Sequence, residues 1–233
     1  MPKPASSSGL SNSACESLVR LSKGIELKIK LDDYTDKEWC ADLKVDEDLG
    51  HILTTDEYFL WVLCWGPYGE KRLKSVWEKV QACYDGIGKP PLYKLAPTDT
   101  KKLRELYPIK WQKKWLSNLV NYLKEEQLST RNLVSKLRKE GYEEARKQLQ
   151  GIVSPEVEEP AEKIVDCWLR DVVKIDALPI DSRIRSLFEK YKIPDDSDFV
   201  IKCCKQNDIP VREFARMVYE NAEAMSNPSV AKT

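Results

Sequence analysis

The run Lys163-Ile-Val-Asp-Cys-Trp-Leu-Arg-Asp-Val-Val-Lys-Ile-Asp-Ala-Leu-Pro-Ile-Asp181 decides the reading of this chain. An apolar helix is expected to begin near Lys163. A short loop follows. Pro179-Ile180-Asp181 then leads into a second helix. Proline cannot continue a helix from within, so Pro179 fixes the turn. Asp181 suits the N-cap of a helix that starts at Ser182, because its carboxylate can accept from the free backbone N–H groups of the first turn. Taken singly, Lys163 reads as one solvated lysine among many and Asp181 as a simple cap.

Outward from this run, composition narrows the class. The chain has 233 residues, 42% hydrophobic and 33% charged. That is a globular balance, with length enough for one large domain or two lobes. Lys+Arg and Asp+Glu each total 38, so the formal net charge is zero. A chain without a basic excess does not coat nucleic acid broadly, and only a local basic face is open to it. No secretory leader and no membrane-spanning apolar run are expected, which points to an intracellular location, in a bacterial or archaeal cytoplasm or a eukaryotic nucleus. The seven cysteines are scattered without C-x-x-C spacing. They read as reduced thiols, rather than as a disulfide framework or a zinc site.

Upstream, residues 1–14 are rich in Ser, Pro and Ala and read as a disordered leader. Ile25 to Leu31 alternates apolar and charged residues, a strand pattern and the only clear one. Thr35 with Glu38 suggests a capping box for a short helix carrying Trp39, and Thr54 with Glu57 suggests another. The second opens the run Tyr58 to Trp65, which is apolar all round and so reads as a buried helix. Gly66-Pro67-Tyr68-Gly69 breaks it. A further helix follows, with Leu73, Val76, Trp77 and Val80 on one stripe. Residues 85–97 form a loop, and Thr98 is expected to cap the next helix. Lys110 begins another, in which Trp111 and Trp115 share a face among lysines. That face suits a nucleic-acid contact, but Leu116 and Leu119 extend the stripe and favour a core. Ser129 caps a helix, residues 142–150 form one more, and Gly151 suits its C-terminal cap.

Downstream of Asp181, a helix carries Ile184, Leu187, Phe188 and Tyr191. Pro194-Asp195-Asp196 starts the next, with Phe199, Val200 and Cys203. Pro210 opens the last, with Phe214, Met217 and Val218 inward. The tail from Ser226 reads as disordered. His51, the lone histidine, has no evident partner. No Walker loop, dinucleotide fingerprint or paired-histidine motif is present.

The central run resembles the catalytic segment of the helix-hairpin-helix DNA glycosylases, in particular the 8-oxoguanine glycosylase/lyases. In that family a lysine at the start of one helix attacks the sugar. An aspartate at the start of the next helix assists it, after a Pro-apolar-Asp turn. Lys163 and Asp181 match these positions, and Asp166-Cys167 matches an Asp-Cys pair of the 8-oxoguanine branch. Cys64, the Pro67-Tyr68 tip and Arg72 match an apolar helix ending in cysteine, a wedge loop, and an arginine that meets the orphaned base. The family's wedge is asparagine-rich, so here Tyr68 would fill the gap in the stack. The largest departure lies at Val157 to Glu162, where a glycine hairpin usually grips a phosphate. It holds no glycine and three glutamates, although an archaeal branch also has an irregular hairpin.

The resemblance implies a mainly α, two-lobed fold with a small N-terminal β element. The glycosylase-like domain would span residues 15–225, followed by a tail over 226–233, with the cleft between the lobes holding Lys163 and Asp181. It implies a bifunctional glycosylase/AP lyase that excises an oxidised purine, 8-oxoguanine first, from damaged duplex DNA as a monomer. Tyr68, Arg72, Lys110, Lys113, Lys114 and Arg183 would contact DNA. Cys64, Cys167 and Trp168 are candidates for the base pocket, with the stacking aromatic left open. Relatives with an iron–sulfur loop use four spaced cysteines, whereas Cys203 and Cys204 are adjacent, so no cluster, other metal or cofactor is expected. A neutral amine can displace the flipped base and form a Schiff base, which permits strand cleavage. A helix N-terminus and an apolar pocket both favour the neutral amine, and an ionised Asp181 would stabilise the developing sugar cation. Two alternatives stand beside this reading. One is a glycosylase of the same fold for another damaged base. The other is a non-catalytic helical interaction module, which suits the acidic Glu156 to Glu162 loop.

Overall fold

The structure, a computed structural model, describes residues 7–26, 53–65, 70–154 and 161–226. The protein is mainly α-helical. Among the described residues there are eleven α-helices and no strand. The chain divides by packing into two units, one of Leu43–Ile175 and one of Met1–Asp42 with Asp176–Thr233.

The Leu43–Ile175 unit opens with α2 (Thr55–Leu63). Its start is the expected capping box. The Thr54 hydroxyl accepts from Glu57 N at 3.3 Å, and the Glu57 carboxylate accepts from Thr54 N at 2.8 Å. Glu57 is buried, and Lys89 donates to it at 2.8 Å. Burial opposes the Glu57 charge, but these donors outweigh it and hold the carboxyl below its usual range. α3 (Glu70–Gly86) follows, with Val76, Trp77 and Val80 inward as their spacing predicts.

α4 (Pro97–Leu106) starts two residues earlier than expected. Ala96 takes the N-cap and Pro97 the first helical position, where its fixed φ fits and its missing N–H costs nothing. Thr98 is therefore not the cap. α5 (Lys110–Glu125) buries Trp115, Leu116, Leu119, Val120 and Leu123. Trp115 belongs to the core, and its ring lies 6.1 Å from that of Trp168.

α6 (Thr130–Glu140) starts at Ser129, whose hydroxyl accepts from Asn132 N. α7 (Tyr142–Val153) runs through Gly151, which lies inside the helix and not at its cap. The Ser154 N–H donates to Gln150 O and closes the helix. α8 (Ala161–Trp168) passes into one π-helical turn over Leu169–Val173, closed by Lys174 in the left-handed region. Buried Phe59, Trp115 and Trp168 join α2, α5 and α8 in one aromatic core.

The other unit holds α1 (Ser7–Glu26), α9 (Ser182–Tyr191), α10 (Ser197–Gln206) and α11 (Val211–Ser226). α9 packs on α11, and α1 packs on both and on α10. Ile184, Leu187, Phe188, Phe214, Met217 and Val218 form its core, as their spacing predicts. Asp196 caps α10 by accepting from Asp198 N and Phe199 N.

Several expectations meet the boundaries of the described residues. α1 takes in residues 7–14 of the stretch read as a leader, and it ends with Ile25 and Glu26, the first two residues of the expected strand. Residues 27–31, the Thr35–Glu38 capping box with Trp39, His51, the Gly66 to Gly69 break with Tyr68, the Val157 to Pro160 part of the hairpin and the 227–233 tail lie outside the described residues. The cysteine reading needs one correction. Cys15 on α1 and Cys203 on α10 form a disulfide, with their Cα atoms 5.6 Å apart. Packing α1 on α10 brings together two thiols separated by 188 positions, which spacing in the sequence cannot reveal.

Candidate functional site

Lys163 is the third residue of α8, in its first turn, and is partly exposed. The first N–H groups of a helix point outward unpaired, so an amine here sits near partial positive charge. The helix is apolar along the side that carries Ile164, Val165, Cys167 and Trp168, all buried.

One charged residue interrupts that buried face. Asp166 is only 1% exposed. Its Oδ1 accepts from the Tyr142 hydroxyl and from Arg146 Nε, each at 3.1 Å. Its Oδ2 is buried and meets no donor among the described residues. Burial pushes the Asp166 carboxyl up to about 7, and the pull of Arg146 and Tyr142 does not fully offset it. Arg146 also reaches Glu162, at 3.4 Å. Tyr142 and Arg146, one turn apart on α7, thus hold carboxylates on either side of Lys163 in the α8 sequence. The sequence reading missed this trio. Its signal was present: a lone aspartate in the run Ile164-Val165-Asp166-Cys167 must have a partner if the face is buried.

Cys64, Cys167 and Trp168 belong to the same unit, and all three are fully buried. The Cys64 thiol donates to Leu60 O at 3.3 Å. Burial pushes the Cys64 thiol far up and the Cys167 thiol up to about 12, so neither is a thiolate at neutral pH. The Trp168 ring lies 5.7 Å from that of Phe59, and its indole N–H donates to Phe59 O. Trp168 is thus fully buried among these partners in the free protein.

The approach to the expected wedge is held by a residue that the sequence did not single out. Gln112 is fully buried, and its amide donates to Leu63 O at 2.9 Å and Trp65 O at 3.3 Å. These are carbonyls at the α2 C-terminus that the helix leaves unpaired. Gln112 Oε1 accepts from Ile109 N, so one side chain fixes the end of α2 and the start of α5. Arg72 is exposed on α3. Lys110 is exposed, Lys113 and Lys114 are partly so, and Lys113 pairs with Glu105 at 2.7 Å.

Asp181 is the N-cap of α9. Its Oδ1 accepts from Arg183 N and Ile184 N, both at 3.0 Å. Its Oδ2 accepts both arms of the Arg183 guanidinium, at 3.1 and 2.8 Å. All four donors are N–H groups, the pattern that a carboxylate anion accepts. The Arg183 guanidinium lies 4.5 Å over the Tyr219 ring of α11. Desolvation works against the Arg183 charge, but bonding to Asp181 and Tyr219 outweighs it and strengthens its hold on the proton. The residue expected on DNA is thus, in the free protein, the partner of the expected catalytic carboxylate.

Lys163 lies in one unit and Asp181 in the other. Among the described residues no helix is long and apolar enough to cross a membrane. What the fold and these two clusters define is a mainly α-helical protein with an amine in the first turn of one helix and a carboxylate capping another. Comparison with family models, curated proteins and solved structures finds no match to this chain.

Proposed function

We propose that the chain is a bifunctional DNA glycosylase/AP lyase of the helix-hairpin-helix type. Its substrate is an oxidised purine, 8-oxoguanine first, in duplex DNA, and it acts as a monomer. What carries the reading is the central segment: an amine in the first turn of α8 and, after Pro179, a carboxylate at the N-cap of α9. In this reading the Lys163 amine attacks C1′ of the flipped nucleotide. The C1′–Nζ bond forms as the bond to the base breaks. Asp181 stabilises the positive charge that develops on the sugar. The resulting Schiff base acidifies the C2′ proton, and β-elimination cleaves the strand.

Local features support these roles. Lys163 is partly exposed on an otherwise buried helix face. Asp181 accepts from four N–H donors, two of the α9 backbone and two of the Arg183 guanidinium. The second reading, a non-catalytic helical interaction module, draws support from the same carboxylate. Both its oxygens are engaged by the cap and by Arg183, and the chain carries no net charge.

The deciding experiment is incubation with an 8-oxoguanine duplex under borohydride. A covalent protein–DNA adduct is expected with the parent and none with Lys163→Gln, because no other group is assigned to the Schiff base. Absence of adduct with the parent, or its persistence with Lys163→Gln, would remove the assignment.

A further inference from the structure

The Asp166 cluster is the buried titratable group that this chemistry leaves without a task. We infer that Asp166, Arg146 and Tyr142 form a positioning clamp for the Lys163 amine, locking the turn of α8 that carries it against α7. The inference rests on the lysine chemistry proposed above.

Three observations carry it. First, the clamp is placed at the amine. Arg146 reaches Glu162 and Asp166, the residue before Lys163 and the residue one helical turn after it. Second, it reaches across elements. Tyr142 and Arg146 belong to α7, and their two bonds to Oδ1 tie α7 to the buried face of α8. Third, it is built at a cost that packing alone would not select. An apolar residue at 166 would continue the face made by Ile164, Val165 and Cys167, whereas the aspartate leaves Oδ2 without a donor among the described residues.

The charges around Asp166 are few. From α7 they are Tyr142 and Arg146, and on α8 itself they are Glu162 and Lys163. In the π-helical turn, Arg170 and Asp171 pair with each other at 2.7 Å. On α2, Asp56 and Glu57 are turned to Thr130, Leu92 and Lys89. Arg146 is therefore the cation that answers Asp166. The clamp is tight when Asp166 is ionised and weakens when it takes a proton. That change falls near pH 7, where burial has moved the carboxyl.

Positioning is tested by contrasting a demanding substrate with an undemanding one. A DNA sugar must meet the amine in one geometry. Formaldehyde under cyanoborohydride meets it in any. The single-turnover rate of borohydride trapping on 8-oxoguanine duplex is measured against pH. Reductive methylation of Lys163 in the free protein is measured by mass spectrometry. Asp166→Leu should slow DNA trapping by about tenfold or more while methylation of Lys163 stays within about twofold. Asp166→Asn, a neutral stand-in for the protonated acid, should trap DNA at every pH near the rate that the parent shows below pH 7. It should also lack the inflection near pH 7 that the parent shows. Equal loss of both reactions, or a parent-like pH profile in Asp166→Asn, would overturn the clamp while leaving the lysine chemistry intact. If the parent itself fails to trap DNA, the glycosylase reading fails, and the clamp falls with it.

Discussion

Two aspartates, Asp166 and Asp181, sit one turn and one loop away from the same candidate amine in sequence, and their surroundings are opposite. Asp166 is enclosed, with a single oxygen bonded and the other without a donor among the described residues. Asp181 lies at a helix end with four N–H donors on its two oxygens. Each has an arginine, but Arg146 serves a buried anion, whereas Arg183 serves one that already has a cap. At Asp166 burial raises the carboxyl in spite of its cation. A helix N-terminus offers N–H groups that no other residue claims, while a helix flank offers none. The chain thus uses one side-chain type both as a helix cap and as a buried acid raised toward neutrality.

The sharpest way to break this contrast is to remove the buried cation. Arg146→Ala leaves Asp166 with Tyr142 alone, and losing one partner of a buried pair costs roughly 3–5 kcal/mol. The loss should be largest above pH 7 and small near pH 5, where the carboxyl takes a proton instead. Urea unfolding at the two pH values checks it. An equal loss at both would mean that Asp166 does not titrate in this range.

Next in size is the functional effect at the other carboxylate. Asp181→Asn keeps much of the cap and removes the charge. Base release should slow by about a hundredfold, while lesion binding and stability change little. A bare cap role predicts parent-like base release with Asn and a loss of about 1 kcal/mol with Ala. Base release in single-turnover assays separates the two.

The pH dependence of stability sharpens the contrast without any substrate. The folded Asp166 carboxyl is raised to about 7, above its ordinary value of 3.8. Between these values the folded state holds a proton that the unfolded chain has released. Stability from this residue is therefore lost as pH rises through that window and is level above it, about 1.4 kcal/mol for each unit of the shift. Asp166→Asn lacks this slope. Its stability relative to the parent should climb from pH 4 to pH 7 in urea titrations. A constant difference across that range would refute the buried-acid reading.

How much of this was legible in the sequence follows the range of each interaction. Thr54 with Glu57, and Ser129, were readable as caps because a cap is written in four residues. The core stripes of α3, α5, α9 and α11 were readable because helical spacing sorts them. Asp181 was readable as a cap by the same local logic, with Pro179 ahead of it. Gly151 misled because a glycine inside a helix carries only a propensity cost, which packing of α7 on α5 and α8 outweighs. Arg146 with Asp166, and Cys15 with Cys203, were not readable, since each joins elements brought together only by the folded chain. The same holds for Gln112, whose two acceptors lie 49 and 47 positions away. For Arg183 the partner was two residues away and still unforeseen. An arginine near a helix start reads as a phosphate contact, and nothing local says that the cap will take it first.

The smallest effect belongs to that arginine, and it tests the comparison most directly. Arg183 forms a bidentate pair with Asp181 and stacks on Tyr219, so it is engaged at least as fully as Arg146. Its side chain, however, is 41% exposed, and Asp181 keeps two backbone donors when the guanidinium is gone. Water can reach Oδ2 in its place. Arg183→Ala should therefore cost only about 0.5–1 kcal/mol, the usual range for a pair whose cation is exposed and lies over a ring. That loss should shrink in high salt, where the Arg146→Ala loss should persist, because screening acts on exposed charges and hardly on enclosed ones. In DNA binding, if Arg183 turns to a phosphate, the variant should weaken every sequence alike and reduce the salt slope by about one. A loss of stability for Arg183→Ala as large as that for Arg146→Ala would show that the pair itself, and not its enclosure, sets the energy at both aspartates.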